Sequence, residues 1–416
     1  MKHSTLLGLA TLLLAGGSTP AIAQAPKFSG LLQVWYTQML DNNLRLNKPY
    51  DANGAKYFNL RSEFTENTFS IRRSEIKLSG TITEDVEYEV MMDPSINTGT
   101  SNPSILQDAV IVYKIGGGFE AKLGQFKNLQ TYEGLTSSGE IFFAERAQLA
   151  RQFGDKRDRG AALSYGFGDP NEFGGKATLA FFNGLNDSVS GKSNDTNAQK
   201  DFVARLDLNY GKAMKFGLYT LQGSTDQADK GGLVARTFVG AAASLPTATQ
   251  ILDNKDKTTN LGAFYVYQDS TWLLSAEVMT GMLGRRFASV GTAGAAARQH
   301  LDQKYMGYWV TGGYTMGNHT FLVRYDTANY NSGDNWYTAY NPYKESAPGV
   351  SLGADYSPKY TEISAGYLYA FKPEKFKAAN IKINYINRSK NYLQPRAGQT
   401  GEQGGDTVVV AFQIAF

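Results

Sequence analysis

The sequence contains no cysteine. Disulfides and thiolate metal sites are closed to it, so its fold must hold without staples. It also lacks any apolar run approaching the roughly 18 residues that mark a transmembrane helix. Nor is there an excess of one charge sign. Lysine and arginine number 41 against 38 aspartates and glutamates, and without Lys2 the balance is 40 to 38. That parity argues against nucleic acid as the main partner. Histidine is scarce at 3, and only His300 and His319 lie beyond the first few residues. Neither has a serine and an acid placed to suggest a triad, and no HExxH spacing is present. The stretch GLNDSVSGKS (184–193) separates its glycines by six residues, where a phosphate loop needs about four. No enzymatic activity, cofactor or metal is expected.

What is present begins with a leader. Lys2, the short run LLGLATLLLAGG and the small-x-small triplet Ala21-Ile22-Ala23 have the anatomy of a secretory signal peptide. Cleavage is expected before Gln24, leaving 24–416 as the folded unit. That unit is rich in glycine, with 44 in the chain, and carries 25 tyrosines and 23 phenylalanines. With transmembrane helices excluded, two classes remain: a secreted all-β protein or an outer-membrane barrel. A mean hydropathy of −0.35 suits a barrel, because only alternate strand residues need be apolar.

Period-2 alternation marks sixteen runs: 28–38, 68–82, 86–93, 106–114, 119–127, 158–167, 175–184, 201–210, 213–222, 258–268, 271–280, 304–315, 319–328, 360–371, 378–389 and 405–416. All 12 prolines fall outside them, as strands with two bonded neighbours require. Short turns such as Gly211-Lys212 and Met316-Gly317-Asn318 alternate with long stretches such as 39–67, 128–157, 223–257 and 329–359. The pattern predicts an all-β, 16-stranded antiparallel transmembrane barrel with short periplasmic turns and long external loops. Extra strands at 234–243 and 349–356 would make an 18-stranded alternative. Aromatics cluster at the short-turn ends: Tyr113, Phe119, Phe167, Tyr210, Phe216, Tyr267, Trp272, Tyr314, Phe321 and Phe371. They predict an interfacial girdle. In the final stretch TVVVAFQIAF, the residues Val408, Val410, Phe412, Ile414 and Phe416 share one apolar face. This reads as a closing strand paired with FSGLLQVWY, leaving no edge.

FSIRRSEIKLSGTI (69–82), LGQFKNLQTYEGLTSSGEIFFAERA (123–147), DKRDRGAAL (155–163), AFFNGLND (180–187), KDFVARLDL (200–208) and VRYD (323–326) resemble the phosphate-selective porin O and P type family. The resemblance runs over most of the chain. It implies a trimeric sixteen-stranded porin in the outer membrane of a Gram-negative-type bacterium, with the third loop folded into the lumen. It also implies arginines and lysines that line the pore and guide phosphate, hence an anion/phosphate preference, and a C-terminal aromatic, here Phe416, read by the assembly machinery.

The strand phases turn Arg73, Lys77, Lys122, Arg205, Lys215, Arg324 and Lys382 inward, together with Glu75, Glu87, Glu89, Asp93, Asp207, Glu277, Asp326 and Glu362. Acids match bases, which departs from a mostly basic lumen. These charges read either as wall ion pairs or as a ladder guiding ions. The stretch 128–157 reads from length alone as an external loop, and from the resemblance as a constriction bearing Glu140, Glu145, Arg146 and Arg151. Within it, EIFFAERAQLARQF predicts a short helix with Ile141, Phe142, Leu149 and Phe153 packed on the inner wall. The expected function is diffusion of small ions and polar solutes, with outer-membrane lipid and two further copies of the chain as partners. The rival is a structural or adhesive barrel whose external loops bind partners.

Overall fold

Alternation of apolar and polar side chains produces sixteen strands that close on themselves. The computed structural model describes residues 25–40, 67–95, 105–184, 199–224, 257–283, 286–288, 298–300, 303–329, 332–333, 359–388 and 406–416. Its strands are β1 (Lys27–Met39), β2 (Thr68–Thr83), β3 (Val86–Met92), β4 (Leu106–Gly116), β5 (Phe119–Lys127), β6 (Arg157–Gly168), β7 (Phe173–Phe182), β8 (Asp201–Tyr210) and β9 (Met214–Ser224). They continue as β10 (Lys257–Gln268), β11 (Trp272–Leu283), β12 (Arg286–Ala288), β13 (Arg298–His300), β14 (Gln303–Met316), β15 (His319–Asn329), β16 (Lys359–Ala370), β17 (Ala379–Arg388) and β18 (Thr407–Ala415).

All but β12 and β13 form one closed antiparallel barrel, each strand bonded to its sequence neighbours. The sixteen expected strands are all present, with ends displaced by at most three residues. β12 and β13 pair only with each other, a hairpin that the periodicity did not announce. The two further candidates, 234–243 and 349–356, lie outside the described residues.

The seam joins β1 to β18 from Leu31↔Ala415 to Met39↔Thr407. It is extended by Gly30 N donating to the Phe416 carbonyl at 2.8 Å and Phe416 N donating to the Gly30 carbonyl at 3.1 Å. Phe412, Ile414 and Phe416 are exposed on the outer face, while Val409, Ala411 and Gln413 are buried on the inner one. The same division runs round the barrel, with Leu123, Leu179, Leu218, Val323 and Ile383 exposed outside. An outer surface this apolar suits lipid rather than water. At the short-turn rim, Phe119 packs on Tyr165 (4.6 Å between ring centroids), Trp272 on Tyr314 (4.9 Å) and Phe321 on Tyr367 (5.6 Å).

One irregularity changes which residues point inward. β2 skips a register step between the pairs Gln33↔Arg73 and Val34↔Ile71. A β-bulge there leaves two residues opposite one. Phe69 and Ile71 face out on one side of the bulge, and Ile76 and Leu78 take the outward phase on the other. Arg72 and Arg73 therefore both face inward.

Candidate functional site

The connection between β5 and β6 is built against the inner wall. It starts with Leu129 and Thr131 in the left-handed region, at φ +60° and +55°. Such residues cost on the order of 1–3 kcal/mol each and persist only where their surroundings hold them. Here Arg205 on β8 holds them, donating to the carbonyls of Leu129 (3.2 Å) and Thr131 (3.4 Å). The Thr131 hydroxyl then caps a single helical turn, α1 (Tyr132–Leu135), by accepting from Gly134 N at 3.1 Å. At the far end, a π-helical turn (Ala150–Gly154) brings Gly154 against the same threonine, so closely that a Cβ on Gly154 would stand 1.7 Å from the Thr131 hydroxyl.

The helix expected over EIFFAERAQLARQF forms only at its end. Residues 141–147 are irregular, because their backbone groups bond to wall side chains instead of to each other. Ala144 N donates to Asn384 on β17 (2.7 Å) and Gln148 N to Asp326 on β15 (2.6 Å). Earlier in the loop, Tyr132 N donates to Glu277 on β11 (2.6 Å). In the other direction, Lys382 on β17 donates to the Ile141 carbonyl (2.6 Å), Gln413 on β18 to Gly139 (2.9 Å), Gln33 on β1 to Ser138 (3.2 Å) and Arg324 on β15 to Glu145 (3.0 Å). Irregular backbone away from water must find such partners. Wall acceptors meet its N–H groups, and wall cations and amides meet its carbonyls. Apolar contacts complete the seating. Phe143, Ala147 and Leu149 pack with Tyr219, Phe264, Tyr305, Trp309 and Tyr360, and Phe142 stacks on Phe376 beside the last short turn at 5.0 Å.

The charges expected at the constriction are mostly inside this packing. Arg146 is 2% exposed. Its guanidinium donates to the Glu133 carbonyl (2.9 Å), Asp155 (3.0 Å), the Thr136 carbonyl (2.7 Å) and the Ser138 hydroxyl (3.2 Å). Glu145 is also buried and pairs with Arg72 at 2.9 Å, the inward arginine that strict alternation misses. Arg151 pairs with Glu362 at 3.1 Å. Only Glu140 is open, and Lys377 holds it at 2.7 Å.

Burial acts to raise the Asp155 carboxyl, but the cations Arg146, Lys127, Arg73 and Arg157 outweigh it and hold the group well below the ordinary aspartate range. Burial likewise works against the Arg151 cation. The Glu362 carboxylate reverses the balance and leaves Arg151 a firmer cation than usual.

The wall residues divide in the same way. Arg73, Arg205, Arg324, Asp326 and Lys382 are buried. Arg324 is at van der Waals range of the Phe143 ring, 4.6 Å from its centroid, and pairs with Glu362 at 3.2 Å. Lys77, Lys122 and Asp207 keep open or half-open side chains on the inner face. Lys122 lies over the Phe126 ring at 5.0 Å. Glu75 and Glu89 also face inward, at 3.6 Å from Arg73 and 2.5 Å from Lys77.

The family model described as phosphate-selective porin O and P matches residues 43–416. The chain belongs to this family. No curated protein matches it. Among solved structures, it is similar to the outer membrane channel DcaP of Acinetobacter baumannii, with 12% identity over 97% of this chain and 100% of that one, and a TM-score of 0.56. It is also similar to a loop L8 deletion mutant of OmpT, an outer membrane protein of Vibrio cholerae, with 11% identity over 94% of this chain and 99% of that one, and a TM-score of 0.52. The porin is an outer-membrane diffusion channel of the Gram-negative type. A sixteen-stranded barrel is wide enough to enclose an aqueous lumen.

Proposed function

We propose that this porin passes small ions and polar solutes with weak charge preference, and that residues 128–156 fold into the lumen and form its constriction. One observation carries the reading. The segment bonds to inward side chains on β1, β8, β11, β15, β17 and β18, which stand all round the barrel. A loop outside a closed wall could reach only its near side. Glu140, Glu145, Arg146 and Arg151 then belong to the constriction element, with Glu140 nearest the water and Arg146 holding the element in shape. Arg205, Arg324, Asp326 and Lys382 carry it from the wall, Arg73 holds the Gln33 that bonds Ser138, and Lys77, Lys122 and Asp207 face the solute.

Weak preference follows from how the open charges are arranged, since most are ion-paired. A strong phosphate preference would need unpaired cations at the narrow point. Passage, not catalysis, is the activity. We further propose that residues 1–23 are removed on export, that the outer face contacts lipid, that three copies assemble as the family resemblance implies, and that Phe416 serves as the assembly signal. Purified protein in a planar bilayer tests the main reading. Discrete ion-conducting steps are expected, with a reversal potential near zero in a salt gradient. A barrel that carries no current, or that excludes chloride in favour of phosphate, overturns it.

A further inference from the structure

The open charges of the lumen form a pattern. At the short-turn end of the inner face stand Glu87 on β3, Lys114 on β4, Glu120 on β5, Lys176 on β7 and Asp207 on β8, with β6 placing the uncharged Ser164 beside Glu120. Their side chains are 41%, 48%, 33%, 47% and 40% exposed. Lys114 bonds Glu87 and stands directly opposite Glu120 in the strand register. Glu120 bonds Lys176 at 3.2 Å, and Lys176 stands directly opposite Asp207. Asp207 is in turn bonded by the buried Arg205 at 2.7 Å, so the row balances at three acids and three bases, with each lysine flanked by two carboxylates and Glu120 by two lysines.

Such a row is nearly silent at a distance. With strands roughly 4.8 Å apart, the sign repeats after two or three strands, about 10–14 Å, and the potential of an alternating row dies away within about 2 Å. A net charge is felt over a Debye length of about 8 Å. A simple ion drifting past the belt is therefore neither steered nor refused. A solute that touches the wall with a cation and an anion one or two strand spacings apart meets a complementary neighbour for each.

We propose that this belt is a contact site for zwitterionic solutes of the ω-amino acid or dipeptide class, with Glu120 and Lys114 as its specificity-determining pair. It rests on the reading of the barrel as an open diffusion channel. Carboxylates would take the ammonium group of the solute, and Lys114 or Lys176 its carboxylate, by exchange with their present partners.

Single-channel recording of the full-length porin tests this, with γ-aminobutyrate, succinate and butyramide added in turn. γ-Aminobutyrate is expected to reduce the open current several-fold more than succinate or butyramide, with little voltage dependence because its net charge is zero. Glu120→Gln is expected to abolish that reduction and move the reversal potential toward anions. Lys114→Met, which leaves Glu120 to Lys176, is expected to weaken the reduction and move the potential toward cations. Equal reduction by butyramide, or a γ-aminobutyrate effect that persists in both variants, overturns the belt. The channel reading fails separately, by absence of current in the unsubstituted protein.

Discussion

The guanidinium of Arg324 on β15 donates to the backbone carbonyl of Glu145 at 3.0 Å. A wall cation here spends a bond on loop backbone, and its other end meets Glu362 at 3.2 Å. Removing one partner of a buried ion pair costs about 3–5 kcal/mol where the other charge is left without compensation, and less here, because Glu362 keeps Arg151 at 3.1 Å and Arg388 at 3.4 Å. Arg324→Ala is therefore expected to lower the heat stability of the barrel, read as an earlier shift on heat-modifiability gels, and to make the open channel noisier. An unchanged gel transition with a quiet channel counts against an anchoring role.

Deletion of 132–150 removes the segment that bonds across the barrel. Single-channel conductance is expected to rise while the barrel stays intact. The measurement is decisive in one direction: unchanged conductance in a folded variant leaves the constriction elsewhere.

Arg146 and Lys122 separate structural from permeation charge. Arg146 has its donors taken up within the loop, whereas Lys122 has the face of Phe126 and open lumen. Lys122→Glu is expected to shift the reversal potential toward cations. Arg146→Met is expected to cost about 1–3 kcal/mol of stability by leaving the buried Glu133 carbonyl without its donor, while Asp155 keeps Lys127 at 3.2 Å and Arg157 at 3.8 Å, with the smaller shift in potential. The reverse order of shifts would place Arg146 on the ion path.

The Asp155 cluster sets a pH limit. Its carboxyl is depressed in the folded protein, so its stabilisation is complete above the ordinary aspartate value of 3.8 and is lost as pH falls through the depressed one. Loosening of the loop through this cluster is expected only in acid stronger than that value. Titrating open-channel noise checks this, and Asp155→Asn should show the acid behaviour at neutral pH.

Phe416 lies 6.3 Å from Phe28, ring centre to ring centre, and a Cβ on Gly30 would reach its ring at 2.5 Å. Loss of Phe416 is expected to lower the yield of heat-stable barrel in cells, and Gly30→Val to lower it less. Equal yields on gels of outer-membrane fractions speak against the aromatic as an assembly signal.

The strands were legible because burial on one face only leaves a two-residue period, as FVARLDLNY shows: Val203 and Arg205 are buried, while Leu206 and Leu208 keep partial exposure outside. The site was legible only as a segment. Arg72 escaped notice because a bulge breaks the period, and a bulge depends on the partner strand. The burial of Arg146 escaped notice because charged residues in a loop read as solvated until the carbonyls around them are known. The irregular stretch 141–147 reads as helical by composition, but its Ala144 amide belongs to Asn384 and its Ile141 carbonyl to Lys382, residues far along the chain whose role no local pattern carries.

The seam between β1 and β18 also has a consequence for folding in time. Every other barrel contact between strands joins sequence neighbours, so those hairpins can form in chain order. At the seam, Gln33 donates to Gln413 at 2.8 Å across 380 residues of chain. Closing so long a loop is entropically costly and slow compared with making the hairpins. Until it closes, two bare strand edges remain, ready to pair with another chain. The nascent porin is thus most vulnerable to aggregation when nearly all of its sheet is already built.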